Sequence, residues 1–192
     1  TNKTLAKMSN DITNVTKEIL PDEKLDCVAY GCTSGTVAAG YSSIKKKINL
    51  AKPEAKVTTP ITSAIKALKK LNINKISIFT PYTKEINDSI INYFKKENIT
   101  INSLSYFDIA SDIDIGKVDE KYLFNVLSKI ELKNSEALFV SCTALPVLPI
   151  IDKLEKKLKK IVLSSNQTLI WDSLNQINFK EKIAGFGKLF NS

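Results

Sequence analysis

From one end of this chain to the other, short apolar runs alternate with longer segments in which apolar side chains recur every three or four positions. The runs "LDCVAYG" (25–31), "KVTTP" (56–60), "KISIFTP" (75–81), "TINSLSYF" (100–107), "ALFVSCT" (137–143) and "KIVLSSN" (160–166) read as strands. Segments at about 3–20, 34–50, 61–72, 83–98, 119–132, 146–159 and 166–177 carry the helical period. Strands apolar on both faces and separated by helices predict parallel sheet covered by helices, so the expected class is α/β. Such sheets open their ligand crevice outside the carboxyl ends of the strands. Five loops fall there, "CTSGT", "TPIT", "TPYT", "SCTAL" and "SSNQ", each rich in short polar residues.

What those loops hold is narrowed by what the chain lacks. It has no histidine, and all 28 of its basic residues are lysine. Ser-His-Asp and Cys-His catalysis and histidine metal sites therefore fall away. Arginine clamps fall with them, so an anionic substrate must be held by backbone N–H groups, hydroxyls or lysine. The formal charge of +8 sits largely in runs such as "KKK" (45–47) and "KLEKKLKK" (153–160). These lie in helix-periodic segments and read as solvated faces; without interleaved aromatics they predict no nucleic-acid partner. No apolar run approaches the roughly 20 residues of a membrane span, and no signal peptide is visible. The reading predicts no membrane association and a cytoplasmic location, where the three thiols stay reduced.

Two of those thiols occupy matching places. Cys32 follows a strand ending in Gly31 and precedes Thr33, Ser34 and Gly35, where a helix is expected to begin with hydroxyl residues capping it. Cys142 repeats the pattern with Thr143 beside it and Pro146 expected in the first helical turn. Free N–H groups and the helix dipole favour a thiolate there, which suits a base or a nucleophile. The competing reading is that a cysteine packs as a small apolar group; for Cys27, inside a strand, that reading is preferred.

The stretches "LDCVAYGCTSGTVAAG", "VTTPITSAIKALKKLNINKISIFTPYTKEIND", "ALFVSCTALP", "LSSNQTLIWD" and "GFGKLF" resemble the ectoine-utilisation protein A branch of the aspartate/glutamate racemase superfamily, which also holds maleate cis-trans isomerase and arylmalonate decarboxylase. The resemblance implies two pseudo-symmetric Rossmann-like lobes with parallel sheets and an active site between them. It assigns 1–60 plus 166–192 to the first lobe and 61–165 to the second. It further implies chemistry without cofactor or metal, with Cys32 and Cys142 as the catalytic pair, one from each lobe. Tyr82 matches a tyrosine that contacts a substrate carboxylate, or else packs on its loop as a rim aromatic. Thr33, Ser34, Gly35, Thr143 and Ala144 match positions that offer N–H or hydroxyl groups to carboxylate oxygens. Asn166 is placed with them, although Asn166 and Gln167 could instead cap the following helix. A homo-oligomer is expected by resemblance alone.

The chain departs from the family pattern in three places. Family members begin with two strands and a helix before the point where this sequence opens, including an asparagine that helps bind substrate, so the first lobe is expected to be incomplete. Asp172 follows Trp171 where a histidine is expected. "SDID" (111–114) stands near a second substrate-binding asparagine of maleate isomerases, and an acidic residue there speaks against maleate itself.

The expected function is a cofactor-independent racemase or isomerase of a small carboxylate, with an ectoine-pathway intermediate as one candidate. One thiol removes the proton beside the carboxylate and the other returns one from the opposite face. The alternative is cis-trans isomerisation through a covalent cysteine adduct, as in maleate isomerase. Decarboxylation of the family's kind uses only the second-lobe cysteine and fits a chain with both less well. A thiol hydrolase on Cys32 lacks an activating base. A non-catalytic small-carboxylate binding protein remains an alternative of another class.

Overall fold

The computed structural model describes residues 2–191. The chain opens on helices α1 (Asn2–Met8) and α2 (Ile12–Lys17), separated by a 3-10 turn at Ser9–Asp11. Strand β1 (Cys27–Ala29), α3 (Thr33–Ala39), α4 (Tyr41–Ala51) and β2 (Lys56–Thr58) follow. Next come α5 (Pro60–Lys70), β3 (Lys75–Thr80), α6 (Lys84–Lys96), β4 (Thr100–Tyr106), α7 (Asp112–Gly116) and α8 (Glu120–Leu127). The last are β5 (Ala137–Val140), α9 (Ile151–Leu158), β6 (Ile161–Ser164) and α10 (Ser165–Gln176).

Every strand pairing is parallel, as expected of an α/β chain. β1 pairs β2, with Val28 opposite Val57, and the other four strands form a sheet in the order β4-β3-β5-β6. The strand interiors explain the pairing: all four residues of β5 and five of the six in β3 are buried, so neither face of these strands meets water. The larger core fills around this sheet, with Phe79, Phe94 and Phe139 fully enclosed. A smaller core of Ile12, Val28, Ile44, Ile48, Ala55 and Val57 lies under β1 and β2. Helix α10 packs on α5, β1 and β2. It begins with a capping box in which Ser164 and Gln167 bond each other's backbone.

The periodic segment 34–50 is two helices rather than one. Gly40, at φ +80°, closes α3 by donating its N–H to the Thr36 carbonyl and turns the chain into α4. That backbone angle is one glycine reaches without strain. The segment 3–20 breaks similarly, into α1 and α2, and the "SDID" stretch forms the short α7, capped by Ser111, which the periodicity did not predict. No helix among the described residues is long and apolar enough to cross a membrane.

Candidate active site

The first cysteine loop grows out of β1. Tyr30 extends the parallel ladder by donating its N–H to the Thr58 carbonyl at 2.9 Å, and Cys32 then becomes the N-cap of α3 in an extended conformation. The expected hydroxyl cap is replaced by sulfur: the Gly35 N–H donates to Cys32 Sγ at 3.2 Å, with the Ser34 hydroxyl 3.8 Å away. The neighbouring hydroxyls are occupied elsewhere. Thr36 donates to the Cys32 carbonyl at 2.6 Å, and Thr33, wholly buried, pairs with the Ser165 hydroxyl at 2.9 Å. Glycine at 35 leaves both groups in place, because a Cβ there would meet Cys32 Sγ at 2.8 Å and the Tyr30 hydroxyl oxygen at 2.7 Å and one of them would have to shift.

The second loop reaches a similar end differently. Cys142, at φ +101°, follows β5 into a turn, and regular helix resumes only at the 3-10 turn Leu148–Ile150 and α9. Pro146 therefore sits in the turn, not in a first helical turn as expected. The turn itself aims the N–H groups of Ala144, at 3.4 Å, and Leu145 at the Cys142 sulfur. Burial pushes the Cys142 thiol up; the Tyr82 hydroxyl and these N–H groups partly counter it, and the charge of Asp112 adds to the rise. The site thus favours Cys142 as a protonated thiol.

Tyr82, 6% exposed at the carboxyl end of β3, is the point where the lobes meet electrically. Burial holds its phenol well above the usual range, followed by the Cys142 charge, its hydrogen bond to Cys142, and the charge of Cys32. The phenol thus bonds the Cys142 sulfur and senses the charge of Cys32. The backbone agrees: Thr143 donates its hydroxyl to the Gly31 carbonyl at 2.8 Å, and Ser165 accepts the Cys142 N–H at 3.0 Å while it pairs with Thr33. Asn166 donates to the Thr143 carbonyl at 2.9 Å, and the helix is capped by Ser164 with Gln167.

The nine residues singled out from the sequence all stand at the carboxyl ends of the strands. Tyr82 bonds Cys142, and the loops of Cys142 and Cys32 are bonded to each other. The side chains of Thr33, Thr143 and Asn166 are spent on holding the two loops together, and Ala144 contributes its N–H to a sulfur. What remains for a carboxylate is the Ser34 hydroxyl and the N–H groups of Thr33 and Ser34 in the first turn of α3, which have no acceptor within their own helix. Sequence reasoning missed Ser165, the hydroxyl that joins the loops. Its only signal was membership of "SSNQ" at a strand end. A cavity of about 600 Å³ lined by Lys17, Pro21, Leu25, Lys52 and Ala55 opens at the opposite, amino ends of β1 and β2 and holds none of these residues.

A family model described as arylmalonate decarboxylase matches residues 41–190 of the chain. A maleate isomerase from Geobacillus stearothermophilus is 25% identical over 199 residues, spanning 100% of this chain and 79% of that protein. Among solved structures, the maleate isomerase Iso from Pseudomonas putida S16, a Cys-to-Ala variant with maleate, superposes with a TM-score of 0.90 at 19% identity, covering 99% of this chain and 79% of its own. The Nocardia farcinica maleate cis-trans isomerase, a Cys-to-Ser mutant with a covalently bound succinylcysteine intermediate, gives 0.89 at 19% identity over 99% and 80% of the two chains.

Proposed function

The chain belongs to the arylmalonate decarboxylase family, and from that premise and its two hydrogen-bonded cysteine loops we propose that it is a cofactor-independent cis-trans isomerase of a small unsaturated carboxylate. One observation carries the reading: the loops of Cys32 and Cys142 are hydrogen-bonded to each other, and the buried Tyr82 phenol feels both sulfurs. The relatives named maleate isomerase, and the succinylcysteine held by one of them, support the covalent route over plain racemisation.

The roles follow from the two environments. Cys32, half-buried with an N–H donor on its sulfur, is the nucleophile. Its thiolate attacks one alkene carbon, forming the C–S bond as the π pair moves to the neighbouring carbon beside the carboxylate. Cys142, kept protonated by burial, gives its proton to that carbon. The former double bond is now single and rotates. The Cys142 thiolate then takes the proton back, the C=C bond re-forms in the trans geometry, and the C–S bond breaks to return the Cys32 thiolate. Throughout, the carboxylate is held by the N–H groups of Thr33 and Ser34 and by the Ser34 hydroxyl, which replace the arginine this chain lacks.

Racemisation is the second reading, favoured by the presence of one cysteine in each lobe. Both readings are tested by incubating the full-length protein with maleate and a panel of small amino and hydroxy acids in deuterated water, followed by NMR. The isomerase reading expects conversion of a cis alkene to its trans form. Deuterium exchange at a saturated carbon with no alkene turnover would replace it with the racemase. Neither signal, with intact binding, would leave a binding protein.

A further inference from the structure

Tyr30 lies two residues before Cys32 and has no part in the reaction as described. Its ring packs against the small core of Ile12, Val28, Ile44 and Ile48, and its backbone is fixed on both sides, by its N–H bond to Thr58 and by accepting the Cys32 N–H at 3.0 Å. Its hydroxyl is buried, yet it has no hydrogen-bond partner among the described residues. Buried polar groups are almost always paired, so an orphaned phenol calls for an explanation. The position of the orphan supplies one. A Cβ built on Gly35 would stand 2.7 Å from the Tyr30 oxygen and 2.8 Å from Cys32 Sγ, so both atoms crowd a single point over the first turn of α3.

We infer that Tyr30 is a positioning residue for Cys32, its hydroxyl turning to donate to the sulfur when the thiolate forms. This rests on Cys32 being the reactive thiol of the proposed reaction. A neutral thiol is a poor acceptor and leaves the phenol unsatisfied; the thiolate satisfies it, so the contact stabilises the ionised nucleophile selectively. Burial first, and then the charge of Cys32, push the Tyr30 phenol up to about 12, so it keeps its proton and remains a donor. Each sulfur then has a phenol of its own, Tyr30 from the loop after β1 for Cys32 and Tyr82 from the loop after β3 for Cys142. Tyr82 is a second titratable group that the charge of Cys32 reaches.

The test is the rate of alkylation of Cys32 by iodoacetamide in the full-length protein, followed at that residue by peptide mass spectrometry from about pH 6 to pH 10. Tyr30→Phe keeps the ring and removes only an unpaired hydroxyl, so its melting temperature should not fall. It should slow alkylation of Cys32 about three- to tenfold near neutral pH and converge with the parent at the alkaline end, where the sulfur is ionised in both. Tyr82→Phe should instead slow Cys142. Coincident Tyr30→Phe and parent rates at every pH would overturn the inference and leave Tyr30 a packing residue. Should Tyr30→Phe not fold, the parent protein carrying 3-fluorotyrosine at position 30 alone serves. Its single fluorine resonance should move between about pH 6 and pH 10 in the parent and stay still in Cys32→Ser; a resonance that moves alike in both, or in neither, counts against the inference. Alkylation needs no substrate, so absence of isomerase turnover defeats the proposed function without touching this result.

Discussion

Thr143 donates its hydroxyl to the carbonyl of Gly31 across 2.8 Å, joining the loop of Cys142 to the loop of Cys32 over 112 positions of sequence. The bond fixes how closely the two thiols approach, so its loss should be felt in turnover more than in stability. Thr143→Val removes the hydroxyl and keeps the shape. It should cost about 1 kcal/mol, or roughly 2–4 °C in melting temperature, and lower kcat about tenfold, while Thr143→Ser restores both. A Thr143→Val protein with parental kcat would show that the loops are held without this bond.

The two cysteines should respond unequally. Cys32→Ser loses the nucleophile and should abolish turnover with no adduct formed. Cys142→Ser loses the proton donor and should drop turnover about 10²- to 10⁴-fold, with substrate mass added to the protein in intact mass spectra. If the reaction is instead a racemisation, no adduct appears, and each mutant keeps solvent exchange of one enantiomer, a different one in each case.

Gly35→Ala would ordinarily help a helix by roughly 0.5–1 kcal/mol. Here the new methyl meets Cys32 Sγ and the Tyr30 oxygen below 3 Å, so one of them must move. The expected result is a folded protein, destabilised by about 1–3 kcal/mol, with activity lost because the sulfur is displaced from its N–H donor. Circular dichroism and turnover, measured on one preparation, separate the two effects.

The dependence on pH has a sign that two substitutions should move in opposite directions. On the proposed route Cys142 must be protonated to act as the acid, and burial raises its thiol above the ordinary cysteine range, so the loss of that proton should set the alkaline limb of the activity profile. The Tyr82 hydroxyl lowers this value and the Asp112 charge raises it. Tyr82→Phe should therefore carry the alkaline limb to higher pH, and Asp112→Asn should bring it to lower pH. Limbs that move together, or not at all, would assign the titration to another group.

Asp172, where a histidine was expected, is a structural joint between α10 and α5. Its buried carboxylate accepts from Lys66 at 2.7 Å, from Ser63 at 2.9 Å and from Gln176 at 3.1 Å. The Lys66 side chain is 45% exposed against 3% for Asp172, so the lysine can return to water and the carboxylate cannot. Lys66→Met should thus destabilise more than Asp172→Asn, each by about 1–3 kcal/mol, with turnover per folded molecule preserved. Thermal denaturation of the two variants checks the order.

The strands and most of the helices were legible in the sequence because their signal is local. A run such as "ALFV" buried on both faces, or a period of three to four in "KEINDSIINYFKK", is written into the side chains of the segment itself. The same locality marked both cysteines, each at the end of an apolar strand, together with Tyr82 beside Pro81. The breaks were harder: Gly40 splits a continuous helical period through a backbone angle, and the "SDID" helix is too short to show one. What only the tertiary structure decided is how the two loops meet. Thr33 to Ser165, Thr143 to Gly31, and the Tyr82 phenol to Cys142 are contacts between positions up to 132 residues apart. No local pattern encodes them. Their partners are chosen by the docking of α10 against α5 and the first sheet, which brings hydroxyls that read as ordinary helix caps or rim residues into a single bonded seam.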